Sequence, residues 1–120
     1  FLLEESEVIL SLVDTQLYQK GVAQDILKLL FHKQRVMIGS SFAFVRAGSL
    51  FAIHSDSRSK LTALAERILA WDDNKFLMDA DYPDTLRVTF NPYLIRSHGV
   101  VLPSASYLKD KYGLCADTQC

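Results

Sequence analysis

Apolar and polar positions are most ordered between residues 36 and 71. Phe42, Phe44 and Val45, then the run from Leu50 to Ile53, flank Ala47-Gly48. Glycine takes the positive φ of a tight loop at no steric cost, so the pattern predicts a β-hairpin there. Asp56 or Ser57 then opens a helix over about 57–71. Leu61, Leu64, Ala65, Ile68 and Leu69 recur at helical spacing and form a stripe wide enough to cover one face of a sheet. Gly39-Ser40-Ser41 marks a bend or bulge ahead of the main strand.

Outside that stretch, residues 6–33 follow a helical period, with Ile9, Val13 and Leu17 and then Val22, Ile26, Leu29 and Leu30 repeating. Lys20-Gly21 reads as a break, giving helices of about 6–19 and 22–33, with one long helix tolerating Gly21 as the alternative. Asp72-Asp73-Asn74 ends the middle helix, 75–78 is a short apolar strand, and Pro83 keeps 79–84 a loop. Leu86, Val88 and Phe90 alternate with Arg87 and Thr89, the signature of a half-buried strand. Asn91-Pro92 punctuates. Residues 93–96 and 100–102 flank Ser97-His98-Gly99 as a second hairpin. Pro103-Ser104 starts a last helix that runs to Tyr112 and stops at Gly113. Hairpins outnumber crossovers in this order. The expected fold is therefore α+β: a two-layer sandwich with a largely antiparallel sheet and helices on one face. Residues 1–113 form one domain and 114–120 a flexible tail.

Composition changes this picture little. A chain of 120 residues and 13.6 kDa is one domain in size and buries enough surface to need no metal or disulfide. Net charge is −1, so no whole-molecule field draws the chain to nucleic acid or anionic lipid. Mean hydropathy of +0.10 is slightly greasy for a soluble domain and favours a buried partner surface. No apolar run approaches the roughly 18 residues that span a bilayer, and the start at Phe1 is not an intact signal peptide. We expect a cytoplasmic domain excised from a larger protein. Cys115 and Cys120 read as unpaired thiols on the tail, with a local disulfide as the alternative. A metal would need more ligands than the tail offers.

Candidate chemistry is sparse. His54, Asp56 and Ser57 invite a triad, but three near-neighbours in sequence rarely converge as triad members do. Asp56 and Ser57 are better read as helix caps. The carboxylates Asp72, Asp73, Asp79, Asp81 and Asp84 lack the spacing of a calcium loop and read as a solvated segment. Gly39-Ser40-Ser41 lacks the Lys and Ser/Thr of a phosphate loop and leads into an expected strand. His32 and His98 have no ligand partners at metal spacing. No cofactor is implied, and the balance leans away from an enzyme.

The aromatic residues say more. Phe42, Phe44, Phe51, Phe76, Phe90, Tyr93 and Tyr107 cluster in the sheet half, most of them as core. The unbroken run from Leu50 to Ile53 reads as a strand buried on both faces, so its second face needs a cover, either the N-terminal helices or another chain. Phe42, Phe44, Leu50, Phe51 and Ile53 are thus the candidate partner interface. The expected function is a non-catalytic interaction or dimerisation module, binding a second copy or another protein. The alternative is a nucleic-acid-associated domain of a replication, transfer or mobile-element protein, carried by Arg46, Arg87 and Arg96 with Arg35, Arg58 and Lys60 nearby.

The segment Val45-Arg46-Ala47-Gly48-Ser49-Leu50-Phe51-Ala52-Ile53-His54-Ser55, followed by the Ala/Leu-rich stretch 61–69, resembles the roadblock/dynein light-chain family. That resemblance implies the order helix, hairpin, helix, three strands, helix. It also implies a non-enzymatic dimerising module of the kind associated with small GTPases or motors.

Overall fold

The computed structural model describes residues 5–71 and 85–116. It shows a five-stranded, mostly parallel sheet with helices, a mixed α/β arrangement. Strands β1 (Val8–Leu10), β2 (Val36–Gly39), β3 (Phe51–His54), β4 (Leu86–Phe90) and β5 (Leu114–Cys115) lie side by side in chain order. Pairs β1–β2, β2–β3 and β4–β5 are parallel, and only β3–β4 is antiparallel. The largely antiparallel sandwich expected from the sequence is therefore corrected.

The correction has local causes. Val8-Ile9-Leu10 is a continuous apolar run with β-branched residues, which suits a parallel strand better than a helix. Beyond it, the Asp14 carboxylate accepts the amides of Gln16 (3.0 Å) and Leu17 (2.9 Å) and turns the chain. Val13 and Leu17 are left exposed, so their helical spacing reflects no buried face. Lys20 and Gly21 both take positive φ, at 56° and 79°, and the expected break falls there. The helix α1 (Val22–His32) follows, close to its expected span.

No hairpin forms at Ala47-Gly48. Residues Phe42–Ala47 are the helix α2, and Gly48 (φ 131°) ends it. With apolar residues at its first, third and fourth positions, a six-residue segment satisfies the strand period and the helix period alike. Its neighbours decide. Gly39 lets α2 lie directly on β2: a Cβ there would stand 2.5 Å from the Phe44 Cβ. The chain can then return as a parallel strand. The hairpin that supported the roadblock/dynein light-chain resemblance is thus absent. The second expected hairpin is absent too. Asn91-Pro92 is an N-cap followed by proline at N1, and the helix α4 (Pro92–Ser97) stands in its place.

Helix α3 (Ser57–Ala70), strand β4 and helix α5 (Ala105–Tyr112) lie where expected. Asp56 caps α3 through the Ser59 amide at 2.7 Å, and Gly113 ends α5 at φ 66°. The apolar stripe of α3 covers no sheet face, however: Leu61, Leu64, Ile68 and Leu69 remain exposed. Leu114 and Cys115, expected in the tail, are buried and form β5. The expected strand at 75–78, the loop at 79–84, the carboxylates of 72–84, Phe76 and Cys120 lie outside the described residues.

Helices pack on both faces rather than one. Leu27, Leu30 and Met37 form one core with Ile9, Ile26 and Phe44. Val88, Leu108 and Leu114 form another with Phe51, Leu86 and Phe90. Ile38 pairs with Phe51, so Met37 and Phe51 point to opposite sides of the sheet. Crossover handedness gives the reason. Right-handed connections β1–β2 and β2–β3 put α1 and α2 on one face. Because β4 runs the other way, the same handedness puts α5 on the other.

Candidate functional site

In open sheets, ligands bind outside the carboxyl ends of parallel strands, and here the loops that follow β1 and β2 lie at that end. A cleft of about 390 Å³ opens beyond β1 and β2, lined by Asp14, Thr15, Tyr18, Ser40, Ser41 and Phe44 among others. The Asp14 turn shapes one wall. Tyr18 packs edge-on against Phe44, with ring centroids 5.1 Å apart, and its hydroxyl accepts a hydrogen bond from Ser11 Oγ at 3.0 Å. Ser40 and Ser41 form the floor where β2 gives way to α2. The Ser41 hydroxyl does not cap that helix and stays available. A carboxylate, hydroxyls and two rings thus surround one small space. That mixture suits a small polar molecule carrying an apolar or aromatic portion.

Next to the cleft, beyond β3 and at the start of β4, runs a polar row. The His54 ring bonds Thr89 Oγ1 at 2.9 Å and lies 6.3 Å from the Phe42 ring. Arg87 donates to Asp56 and lies 3.6 Å from Cys115 Sγ. The Ser59 amide, helped by Arg87, holds the Asp56 carboxyl down at about 2. Burial pushes the His54 imidazole below its ordinary value, outweighing the attraction of Asp56. His54, Asp56 and Ser57 form no nucleophilic relay: Asp56 spends its oxygens on the helix cap and on Arg87, as a capping role requires. Cys115 is disulfide-bonded, which corrects the reading of it as a free thiol. Among the described residues no cluster of three or more His, Cys, Asp or Glu is placed to hold a metal.

The candidate partner residues are divided by the sheet. Phe42 is half-exposed on α2, and Phe44 lines the cleft beyond β1 and β2. Leu50, Phe51 and Ile53 line a separate groove of about 340 Å³ with Val101, Leu102 and Tyr112, walled almost wholly by apolar atoms. The basic residues are divided as well. Arg46 and Arg96 sit in the last turns of α2 and α4, whereas Arg87 lies at the opposite end of β4, bound to Asp56. The sequence pattern gives no sign of Asp14 and Tyr18, and it sets Ser40 and Ser41 aside as a bend that lacks a phosphate-loop signature. The available signal was Gly-Ser-Ser after an apolar run, which opens a helix here rather than a strand.

No family model matches the chain, and none of the curated proteins matches it in sequence. Solved structures do share its fold. One is an ABC domain from Streptococcus pneumoniae in complex with L-Trp, with a TM-score of 0.61 at 15% identity. The match covers 95% of this chain and 39% of that one. Another is a conserved domain protein from Vibrio cholerae, with a TM-score of 0.58 at 15% identity, covering 88% of this chain and 36% of that one. This chain therefore spans well under half the length of the structures it resembles. No helix among the described residues is long and apolar enough to cross a membrane.

Proposed function

We propose that this chain is a ligand-binding lobe. It holds a small amino-acid-like molecule in the Ser40–Ser41 cleft and closes over it together with a second body. The observation that carries this reading is the position of the cleft, at the carboxyl ends of parallel strands, with few polar groups set among two rings. The groups match an L-α-amino acid in kind. The Asp14 carboxylate suits the ammonium, the Ser40 and Ser41 hydroxyls suit the carboxylate, and Phe44 and Tyr18 offer a wall to an apolar side chain. The structural neighbour from Streptococcus pneumoniae was solved with L-Trp, which supports that ligand class. The cleft is one-sided, and the matched structures are much longer than this chain, so the second wall is assigned to another lobe or another chain. The interaction module expected from the sequence is proposed in that form. The apolar groove at Leu50, Phe51 and Ile53 is the surface offered to the partner body.

Calorimetric titration with L-Trp and a panel of other L-amino acids tests the reading. Asp14→Asn retains an acceptor for the two turn amides but removes the charge. It is expected to weaken binding roughly tenfold or more, since a hydrogen bond to a charged group contributes about 1.5–3 kcal/mol. An unchanged affinity in Asp14→Asn, or no heat with any amino acid, overturns the assignment.

A further inference from the structure

The opposite end of the sheet carries a feature that the ligand cleft does not use. Two long stretches of the chain, 26–55 and 85–109, contain no Asp or Glu. The fold brings parts of both together where α1 ends, α2 ends and α4 runs. The Asn91 side chain ties α4 to α2 by donating to the Val45 carbonyl at 3.0 Å. A groove of about 610 Å³ lies between α1 and α4, lined by Phe31, His32, Gln34, Tyr93, Ser97 and His98. A smaller depression of about 230 Å³ adjoins it and adds Lys28 and Asn91. No carboxylate lines either one among the described residues. Arg46 and Arg96 stand in the last turns of α2 and α4, and Arg35 just before β2. Among acids near this end, Glu7 precedes β1 next to Arg35, since Val8 pairs with Val36, and Asp25 lies near the start of α1.

In a chain of net charge −1, this end concentrates cations and donors. Helix dipoles account for Arg46 and Arg96 at helix ends. They do not account for the two large rings beside them, Phe31 at 56% and Tyr93 at 59% exposure. Exposed rings with a lysine alongside and no carboxylate in the lining mark an interaction surface.

We infer that the groove between α1 and α4 docks an acidic segment of a partner protein, its carboxylates meeting Lys28 and Arg96 and an apolar or aromatic side chain seated between Phe31 and Tyr93. Charge complementarity selects the partner. A single strand of nucleic acid fits less well: it needs a basic track over several nucleotides, and this groove is short and bounded by two helices. The inference is independent of the amino-acid cleft, which lies at the other end of β2.

The test is fluorescence anisotropy with three labelled probes: a peptide of glutamates interrupted by single phenylalanines, the same peptide with lysines for glutamates, and an oligothymidylate. Only the acidic peptide is expected to bind, and about 1 M salt is expected to release it. Lys28→Glu combined with Arg96→Glu is expected to weaken binding at least ~10-fold through like-charge repulsion. Arg58→Glu, on α3, leaves it unchanged. Circular dichroism of each variant establishes that the fold is retained. Absence of acidic-peptide binding, indifference to the double reversal, or tighter binding of the oligothymidylate overturns the inference.

Discussion

Gly39→Ala links the packing of the sheet to the shape of the cleft. Gly39 is buried, and its φ is not among the positive values, so the backbone there does not require glycine. Space does. A Cβ would stand 2.5 Å from the Phe44 Cβ and 2.7 Å from Ser49 Oγ, against a usual carbon contact of about 3.5–4.0 Å. The Phe44 Cβ is fixed to the backbone of α2 and cannot swing away, so α2 must lift from β2. Overpacking of this kind costs about 1–3 kcal/mol. That is a large part of the roughly 5–15 kcal/mol that holds a domain together. Ser49 makes the second contact. Its side chain is fully buried and its Oγ has no hydrogen-bond partner among the described residues. Ser49→Ala should therefore be neutral or stabilising, because it removes an unsatisfied hydroxyl. In the double variant the alanine at 39 loses one of its two clashes. The combined effect should be smaller than the sum by about 0.5 kcal/mol or more. Urea melts followed by far-UV circular dichroism give all four corners of the cycle. Because α2 carries Ser41 and Phe44, the same lift should weaken amino-acid binding. A Gly39→Ala variant within about 0.5 kcal/mol of the parent, or additive with Ser49→Ala, would refute this packing.

Other outcomes follow from burial and titration. Leu30, at 1% exposure, should cost about 2–5 kcal/mol on truncation to alanine, whereas Leu69, at 85%, should change stability by no more than about 0.5 kcal/mol in the same melts. Acid should destabilise the fold in two steps. His54 is held below its ordinary 6.5, so under that pH the unfolded chain takes a proton that the folded chain resists, and stability falls as pH drops from there. Asp56 adds a second loss as pH falls from 3.8 towards about 2. Urea midpoints measured across pH should show both steps, and His54→Gln should remove the first. A pH-independent midpoint between 7 and 5 would contradict it.

The elements legible in the sequence are those in which period, length and caps agree. Helix α3 has fourteen residues behind an Asp N-cap, α5 has a Ser cap and a glycine stop, and β4 alternates cleanly over five residues. The misread elements are short. Helices α2 and α4 have six residues each, too few for a 3.6 period to stand apart from a period of two. Reading 42–47 as a strand removes the parallel crossover and makes the sheet antiparallel. The cleft vanishes with it, since Ser40 and Ser41 then precede a strand instead of opening a helix. Asp14 and Tyr18 were hidden the same way, inside a supposed helix that is a strand and a turn. Asp56 was legible because capping is local. Its bond to Arg87 was not, because that pairing depends on the β3–β4 register, which places His54 opposite Arg87.

The central claim is a ligand cleft at the carboxyl ends of β1 and β2, and its location is the thing to measure. Amide chemical shifts of the labelled protein should be followed during titration with L-Trp. Saturable shifts should concentrate in residues 11–18 and 40–44 and spare the groove at Phe31, Tyr93 and His98. Shifts scattered over the surface, confined to the opposite end of the sheet, or absent at millimolar L-Trp would contradict it.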